Sequence, residues 1–467
     1  MADNATSPQD ALAGVLDTVG FDSIPADHVT FTGADPVLPS NFLIGTAGAA
    51  AIGACGLAAA DLWELRTGRR QQVGIDVRAA AIAMRGSRYT REVGGQASGG
   101  MADISGFYEC GDGRWVQLHC NFPHHRNGTL KILECEGTKE AIAVALRKWD
   151  AANLENTLVA ADLCCTMTRG NAEWEASAHA AAVDELPLLE ISKIADSDPQ
   201  PLPEGDRPLS GIRALDLTRV LAGPTCGRTL AEHGADVMRI SGPHLPFHKS
   251  LVMDTGHGKL AAHVDLRDEA GTESLRNLVR GADVFTQGYR PGTLAKRGFS
   301  PGDLAALRPG IVYVSLCAYG REGPWRDRRG YDTLLQNATG ICDEEGGDGP
   351  PRHMPVSLLD YASGYLMAFG AMTALGRRAR EGGSYHVQLS LCQTAHWLKG
   401  LGRVAASENA RSLPDPTAED VTDLLMESDT PFGRLVHLGP MLQLSETKPH
   451  WARPVVPLGT HDPVWPS

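Results

Sequence analysis

The sequence runs to 467 residues, 42% hydrophobic and 21% charged, with a formal net charge of -13. That is ample apolar material for two or three folded domains and excludes a disordered or fibrous chain. An acidic balance without any block of consecutive Lys or Arg removes the electrostatic footprint for nucleic acid or an anionic membrane. Any anionic ligand has to be met by a local pocket.

The opening "MADNATSPQD" lacks the basic start and apolar stretch of a secretory signal. Residues 1–39 form an N-terminal extension without a recognisable pattern. The ten cysteines are scattered, with only Cys164 and Cys165 adjacent and no CxxC pair. They indicate neither a zinc site nor a disulfide framework, so a reducing cytoplasm is the expected setting. Residues 43–60, "LIGTAGAAAIGACGLAAA", carry no charge. Their Gly and Ala content predicts a closely packed helix inside the protein rather than a span through lipid.

That helix belongs to a helix-strand unit over residues 40–92 that recurs later. Residues 46–83 align without gaps on residues 360–397, both reading small-residue helix, basic patch, glycine and Val-led strand. The pairs Gly56/Gly370, Ala60/Ala374, Arg66/Arg380, Gly68/Gly382 and Val73/Val387 match, and Thr46 falls opposite Asp360.

Next comes "EVGGQASGG", residues 92–100, a glycine-rich turn. "GFYECGDGRWVQLHC", residues 106–120, predicts two strands joined by a Gly-Asp-Gly turn. Helical stretches "KEAIAVALRKWDAA" and "NAEWEASAHAAAVDEL" complete a small α+β domain over residues 93–190. His124 and His125 are adjacent, point to opposite faces if in a strand, and have no carboxylate or Cys at ligand spacing, so no metal site is expected.

Residues 191–207, rich in Pro and Asp, predict a linker. From 208 to 405 strands and helices alternate: "GIRALDL", "TLAEHGA", "DVMRI", "ESLRNLVRG", "ADVFTQ", "GDLAALRPG" and "IVYVSLCAYG". This pattern predicts a doubly wound α/β domain with a parallel sheet and ligands at the carboxyl ends of its strands. The first turn, "TRVLAGP", carries no GxGxxG, which excludes a dinucleotide oxidoreductase. "LLDYASGYLMAFGAMTALGRR", residues 358–378, sets one carboxylate, Asp360, before a long apolar helix. The plain reading is an N-cap worth about 1 kcal/mol. "SLPDPTAED" separates off a linker and C-terminal tail, residues 406–467.

The stretch "PLSGIRALDLTRVLAGPTCGRTLAEHGADVMRI" closely resembles the opening of the family III coenzyme A transferases, which also contains the α-methylacyl-CoA racemases. "HGKLAAHVDLRDEAG", "GYRPGTLAKRGFSPGDLAALRPGIVYVSLCAYGREGPW", "GYDTLLQNATGI" and "LLDYASGYLMAFG" extend the likeness in order. "RTGRRQQVGIDV", "GGQASGG" and "FYECGDGRWVQL" resemble the family's middle section and small domain, so the segments stand in a permuted order.

This resemblance implies a CoA transferase in which Asp360 is the covalent nucleophile. It attacks an acyl-CoA, passes through mixed anhydrides and an aspartyl-CoA thioester, and hands CoA to an incoming carboxylic acid. The helix N-terminus is expected to hold the carboxylate ionised. Thr46 has no carboxylate, so the first copy is expected to be silent and to serve packing. Gly94, Gly95 and Gln96 are expected to cover the intermediate and supply N–H donors for an oxyanion.

Coenzyme A or its acyl ester is expected as substrate, with no permanently bound cofactor. Its contacts are expected at Val220, Ala222, Gly223, Arg239, Lys259, Arg290, Lys296 and Tyr331. Ser241 departs from a glutamate usual in the family. Tyr331 replaces the histidine of the racemases' "GHD"-like motif, and a phenol of pKa ~10 is a poor base at neutral pH. An isomerase or racemase, and a non-catalytic CoA-binding paralogue, remain the alternatives. The family also implies a homodimer.

Overall fold

The computed structural model describes residues 5–95, 100–405 and 410–466. The front of the chain carries α1 (Pro8–Val19), β1 (Val29–Thr32), α2 (Ile44–Thr67), β2 (Val73–Asp76), α3 (Val77–Ala83) and the short β3 (Arg91–Glu92). A smaller domain comes next with β4 (Gly106–Glu109), β5 (Trp115–Leu118), α4 (Pro123–Leu133), α5 (Lys139–Leu146), α6 (Ala151–Ala160), β6 (Cys165–Met167), α7 (Asn171–Glu175) and α8 (Ala178–Asp184). The large domain runs β7 (Glu190–Ala195), β8 (Arg213–Leu217), α9 (Ala222–Glu232), β9 (Asp236–Ser241), α10 (Lys249–Thr255), β10 (Lys259–His263), α11 (Glu269–Arg280), β11 (Val284–Gln287) and α12 (Pro301–Leu307). It continues through β12 (Val312–Cys317), α13 (Asp332–Ala338), α14 (Ile341–Gly346), α15 (Leu358–Glu381), β13 (Ser384–Ser390) and α16 (Leu391–Gly400). The tail adds β14 (Leu425–Thr430), β15 (Gly433–Leu438) and β16 (Gln443–Leu444).

Seven strands form the main sheet in the order β10-β9-β8-β11-β12-β13-β7. The first six are parallel and β7 is antiparallel on the edge beside β13. Strand order reverses between β8 and β11, so the loops leaving those two strands splay apart there and open a crevice. The expected doubly wound fold is thus present. The smaller domain has its own antiparallel sheet, β4-β5-β6.

Two boundaries differ from expectation. The linker read from residue 191 starts later, because Glu190–Ala195 pairs with β13, with Ile191 opposite Val387. The tail is not a free appendage: β15 pairs with β3 and β16 with β2. Two predicted single helices are also each divided. Residues 147–150 interrupt the first, and Ser177 caps α8 by accepting the Ala180 N–H, which separates it from α7.

The repeat is reproduced in three dimensions. Helices α2 and α15 are both 24 residues long, begin at equivalent alignment positions and pack against each other. Small side chains let them approach closely; Cys55 donates to the Tyr365 carbonyl at 3.0 Å and Arg380 pairs with Asp61 at 2.6 Å. Each helix also meets its own following strand through a glycine. A Cβ on Gly56 would stand 2.6 Å from Val73 Cγ1, and one on Gly370 would stand 2.5 Å from Val387 Cγ1. Equivalent residues therefore make equivalent contacts in both copies. The apolar window of α2 is wholly buried, as its Gly and Ala content requires.

Candidate active site

The crevice at the strand-order reversal holds a cavity of about 350 Å³. The loop after β8 supplies Arg219, Val220, Ala222 and Gly223; the loop after β11 supplies Tyr289, Arg290 and Thr293; and Arg328, Arg329, Tyr331 and Asp360 close the inner wall. Phe122 enters from the small domain. Six residues expected at the site, Val220, Ala222, Gly223, Arg290, Tyr331 and Asp360, therefore share one cavity.

Val220 adopts φ 67°, a left-handed conformation that a β-branched side chain rarely takes. Backbone strain of this kind is retained where the surrounding structure fixes a functional turn. Immediately after it α9 begins with its first N–H groups at the cavity, which favours an anionic ligand.

Asp360 lies within the first turn of α15 and keeps 8% of its surface exposed, in the cavity wall. It is not the helix cap, which corrects the sequence expectation. The cap is Asp332, whose carboxylate reaches across from the start of α13 and accepts the Asp360 N–H at 3.0 Å. Gln336 also donates to Asp332.

The expected ionised Asp360 needs the same revision. Burial, then the Asp332 charge, pushes its carboxyl well above the usual range, and burial raises Asp332 as well. Both carboxyls are thus biased toward the protonated form, and the pair resists double ionisation.

Tyr331 has its phenol raised by burial and so stays a neutral donor. Its ring stacks on His119 of the small domain, with centroids 4.0 Å apart and planes within 5°. Burial drives the His119 pKa down to about 3, with His125 contributing, so this imidazole is neutral.

Cations dominate the cavity of an acidic protein. Arg290 and Arg329 converge on Asp162 of the small domain at 2.7 and 2.6 Å. Partial desolvation opposes the charge on Asp162, but Arg329 and Arg290 outweigh it and hold this carboxyl below its ordinary range. Arg328 lies over the Trp325 ring at 4.3 Å. A smaller cleft beside the main cavity is lined by Arg239, Ser241, Phe247 and His248. Arg239 is 5% exposed, and its Nε and Nη1 atoms have no hydrogen-bond partner among the described residues. Burial lowers its pKa, with the charge of Asp216 opposing.

The remaining expected residues do not join the cavity. Lys259 is 1% exposed and donates to Asp216 at 2.7 Å and to the Pro224 carbonyl at 2.6 Å. It ties β10 to β8 and α9, so its role is structural. Lys296 is exposed on a single helical turn after the β11 loop and lines neither cleft. Gly94 and Gly95 form an exposed turn after β3, closed by the Gly95 N–H donating to the Glu92 carbonyl at 2.9 Å. Gln96 lies outside the described residues. Sequence reasoning missed Arg219, Arg328, Arg329, Asp332 and Phe122. The run "RDRRGYD", with its concentration of charge beside Tyr331, was the available signal for Arg328, Arg329 and Asp332.

Fold and cavity together define an α/β protein with an arginine-lined cavity and a buried carboxyl at the switch point of its sheet. The chain matches CoA-transferase family III over residues 11–203 and 209–421, and it belongs to that family. It is 30% identical to an acetyl-coenzyme A transferase, nodX, of Hypoxylon pulicicidum over 72% of this chain and 59% of that protein. It is 31% identical to an acyl-CoA transferase of Gibberella moniliformis over 76% of this chain and 72% of that one. A succinate–glutarate CoA-transferase of Agrobacterium fabrum is 33% identical over 41% of this chain and 52% of its own. The chain thus spans little more than half the length of the first and third of these relatives. Among solved structures, a Mycobacterium tuberculosis protein is similar at a TM-score of 0.40 and 32% identity, covering 44% of this chain and 57% of that one.

Proposed function

We propose that this protein is a CoA transferase that moves coenzyme A from an acyl-CoA to a carboxylic acid, with Asp360 as nucleophile. The observation that carries the reading is the Asp360 carboxyl in the wall of an arginine-lined cavity at the sheet's switch point. Family membership and relatives described as CoA transferases support it.

The ionised Asp360 oxygen attacks the thioester carbonyl, forming a mixed anhydride and expelling the CoA thiolate. The thiolate attacks the aspartyl carbonyl, releasing the first acid and leaving an aspartyl-CoA thioester. An incoming carboxylate attacks that thioester to form a second anhydride, and the thiolate then takes the new acyl group, which restores Asp360. No net proton is consumed, and burial keeps water from the intermediates. Tyr331 and the α9 N–H groups are the donors near the developing oxyanions. Arg219, Arg239, Arg290 and Arg329 meet the phosphates.

Only the fraction with Asp360 ionised attacks, so turnover rises with pH as the Asp332–Asp360 pair loses its shared proton. The α-proton-transfer reading lacks the histidine of the racemases' motif, whose place is taken by the neutral Tyr331 phenol. A homodimer and a cytoplasmic setting remain proposals, to be checked by light scattering and cell fractionation.

The experiment is to incubate the protein with a panel of acyl-CoA esters, add hydroxylamine or borohydride, and map modification by mass spectrometry. Modification at Asp360, with turnover lost in Asp360→Asn while CoA still binds, is the expected result. Unimpaired turnover in that variant rejects the reading.

A further inference from the structure

Two segments of the chain match one family, α2-β2-α3 and α15-β13-α16 keep a single register, and the cavity at Asp360 is braced from both segments. From these observations we infer that the chain is two family units fused in one polypeptide that assemble a single live site in cis. The rear unit supplies Asp360 and its sheet. The front unit supplies the small domain that holds the rear unit's site in shape, while its own helix terminus is closed. The inference uses the transferase reading for one of its readouts but not for its geometry.

The closed terminus is a close counterpart of the live one. At α2, Asp35 accepts the N–H groups of Gly45 at 2.9 Å and Thr46 at 2.7 Å. These are the positions aligned with Leu359 and Asp360, and Asp332 accepts the Asp360 N–H. Asp35 ends "GAD" as Asp332 ends "GYD", so the ring of Tyr331 is replaced by the methyl of Ala34. Thr46 is 3% exposed, and a Cβ on Gly45 would stand 2.6 Å from Val77 Cγ1. The sheet beside α2 has three strands, β1-β2-β16, with one parallel pair, so no strand-order reversal opens a crevice there.

The front unit grips the live site at several points. Asp162 holds Arg290 and Arg329. Thr168 donates to Asn337 at 2.8 Å, and Asn337 donates to the Thr166 carbonyl at 2.9 Å, which anchors α13 and with it Asp332. His119 stacks on Tyr331, and Phe122 lines the cavity. Each of these partners belongs to the same chain as Asp360.

The test uses the full chain in two arms. In the first, coenzyme A is titrated into wild-type protein by calorimetry, and acyl-CoA adducts trapped with borohydride are counted by intact mass. One CoA and at most one adduct per chain are expected, and two of either overturn the inference. Absence of any adduct with one CoA still bound defeats the transferase reading alone.

In the second arm, Asp360→Asn and a Phe122→Ala/Asp162→Ala double variant are co-expressed with different tags and purified through both. The double variant is expected to lose 10- to 100-fold in kcat/KM by itself, with its melting curve checking the fold. Unchanged activity in a folded double variant overturns the inference. Tandem-purified mixtures no more active than their parents, or no recovery of mixed species at all, support a site completed in cis. Recovery of a substantial fraction of wild-type turnover shows sites completed between chains and overturns it.

Discussion

The first turns of α2 and α15 share a length, a register and an aspartate cap, yet one is solid packing and the other faces a cavity. Both termini give N–H groups to a carboxylate from the preceding segment, Gly45 and Thr46 to Asp35 and Asp360 to Asp332, so the helix start is met in the same way. The difference lies in the side chain set against that cap. At α2 it is the hydroxyl of a threonine; at α15 a second carboxyl is pressed against the first. A carboxyl pair in a buried site disfavours double ionisation, so α15 holds a destabilised group that α2 has lost. The buried carboxyl pair and its mutual repulsion are confined to one copy, and the other keeps the same kind of cap in solid packing.

That contrast can be broken most sharply at Asp360. Asp360→Asn is expected to lower kcat by about a thousandfold or more, measured with an acyl-CoA and an acceptor acid. The same change is expected to raise the melting temperature. The wild-type pair is stabilised in its protonated form: that contribution is complete below the unfolded carboxyl range and is lost as pH rises through the raised folded values. The stabilisation by Asn is therefore larger at pH 8 than at pH 5, by roughly 1–3 kcal/mol. A variant that melts lower at pH 8 contradicts the strained pair.

Thr46→Asp makes the reverse experiment by recreating the pair in the closed copy. It is expected to cost roughly 2–4 kcal/mol at neutral pH, read from denaturant unfolding, and to form no adduct at residue 46. Arg329→Gln removes a cation that only the live copy has at its mouth. A rise of about tenfold in the Kd for CoA, seen by calorimetry, is the expected outcome. Asp332→Asn withdraws a negative charge from Asp360, so the acid limb of the kcat profile moves to lower pH as that repulsion is lost. Thr46→Ala is the smallest of the series: the backbone bond from residue 46 to Asp35 survives, so stability changes by less than about 1 kcal/mol and kcat is unchanged.

How much of this was legible in the sequence depended on whether the signal was local. The alternation of strands and helices, the motif around Asp360 and the gapless repeat are all read along the chain, and they led to the fold, the cavity loops and the paired helices. The caps were not legible. Asp332, at the start of another helix, accepts the Asp360 N–H, and nothing in linear spacing marks that approach. Lys259 shows the opposite failure. A basic residue at a strand start resembles a phosphate ligand, but Asp216 lies beside it in the fold and takes its charge inward. Gly94 and Gly95 have the composition of a catalytic loop, and the hydrogen bond to Glu92 makes them an exposed turn. Arg239 could be proposed from its strand end, while its missing partners become apparent only once the side chains around it are placed.

The hold of Asp162 on Arg290 and Arg329 has a consequence for any polyanion entering the mouth of the cavity. It meets guanidinium groups that already have a counter-charge, so what it makes there is an exchange of anions rather than a new pairing. Exchange returns only the difference between two attractions, which tempers the grip on any such ligand and speeds its departure.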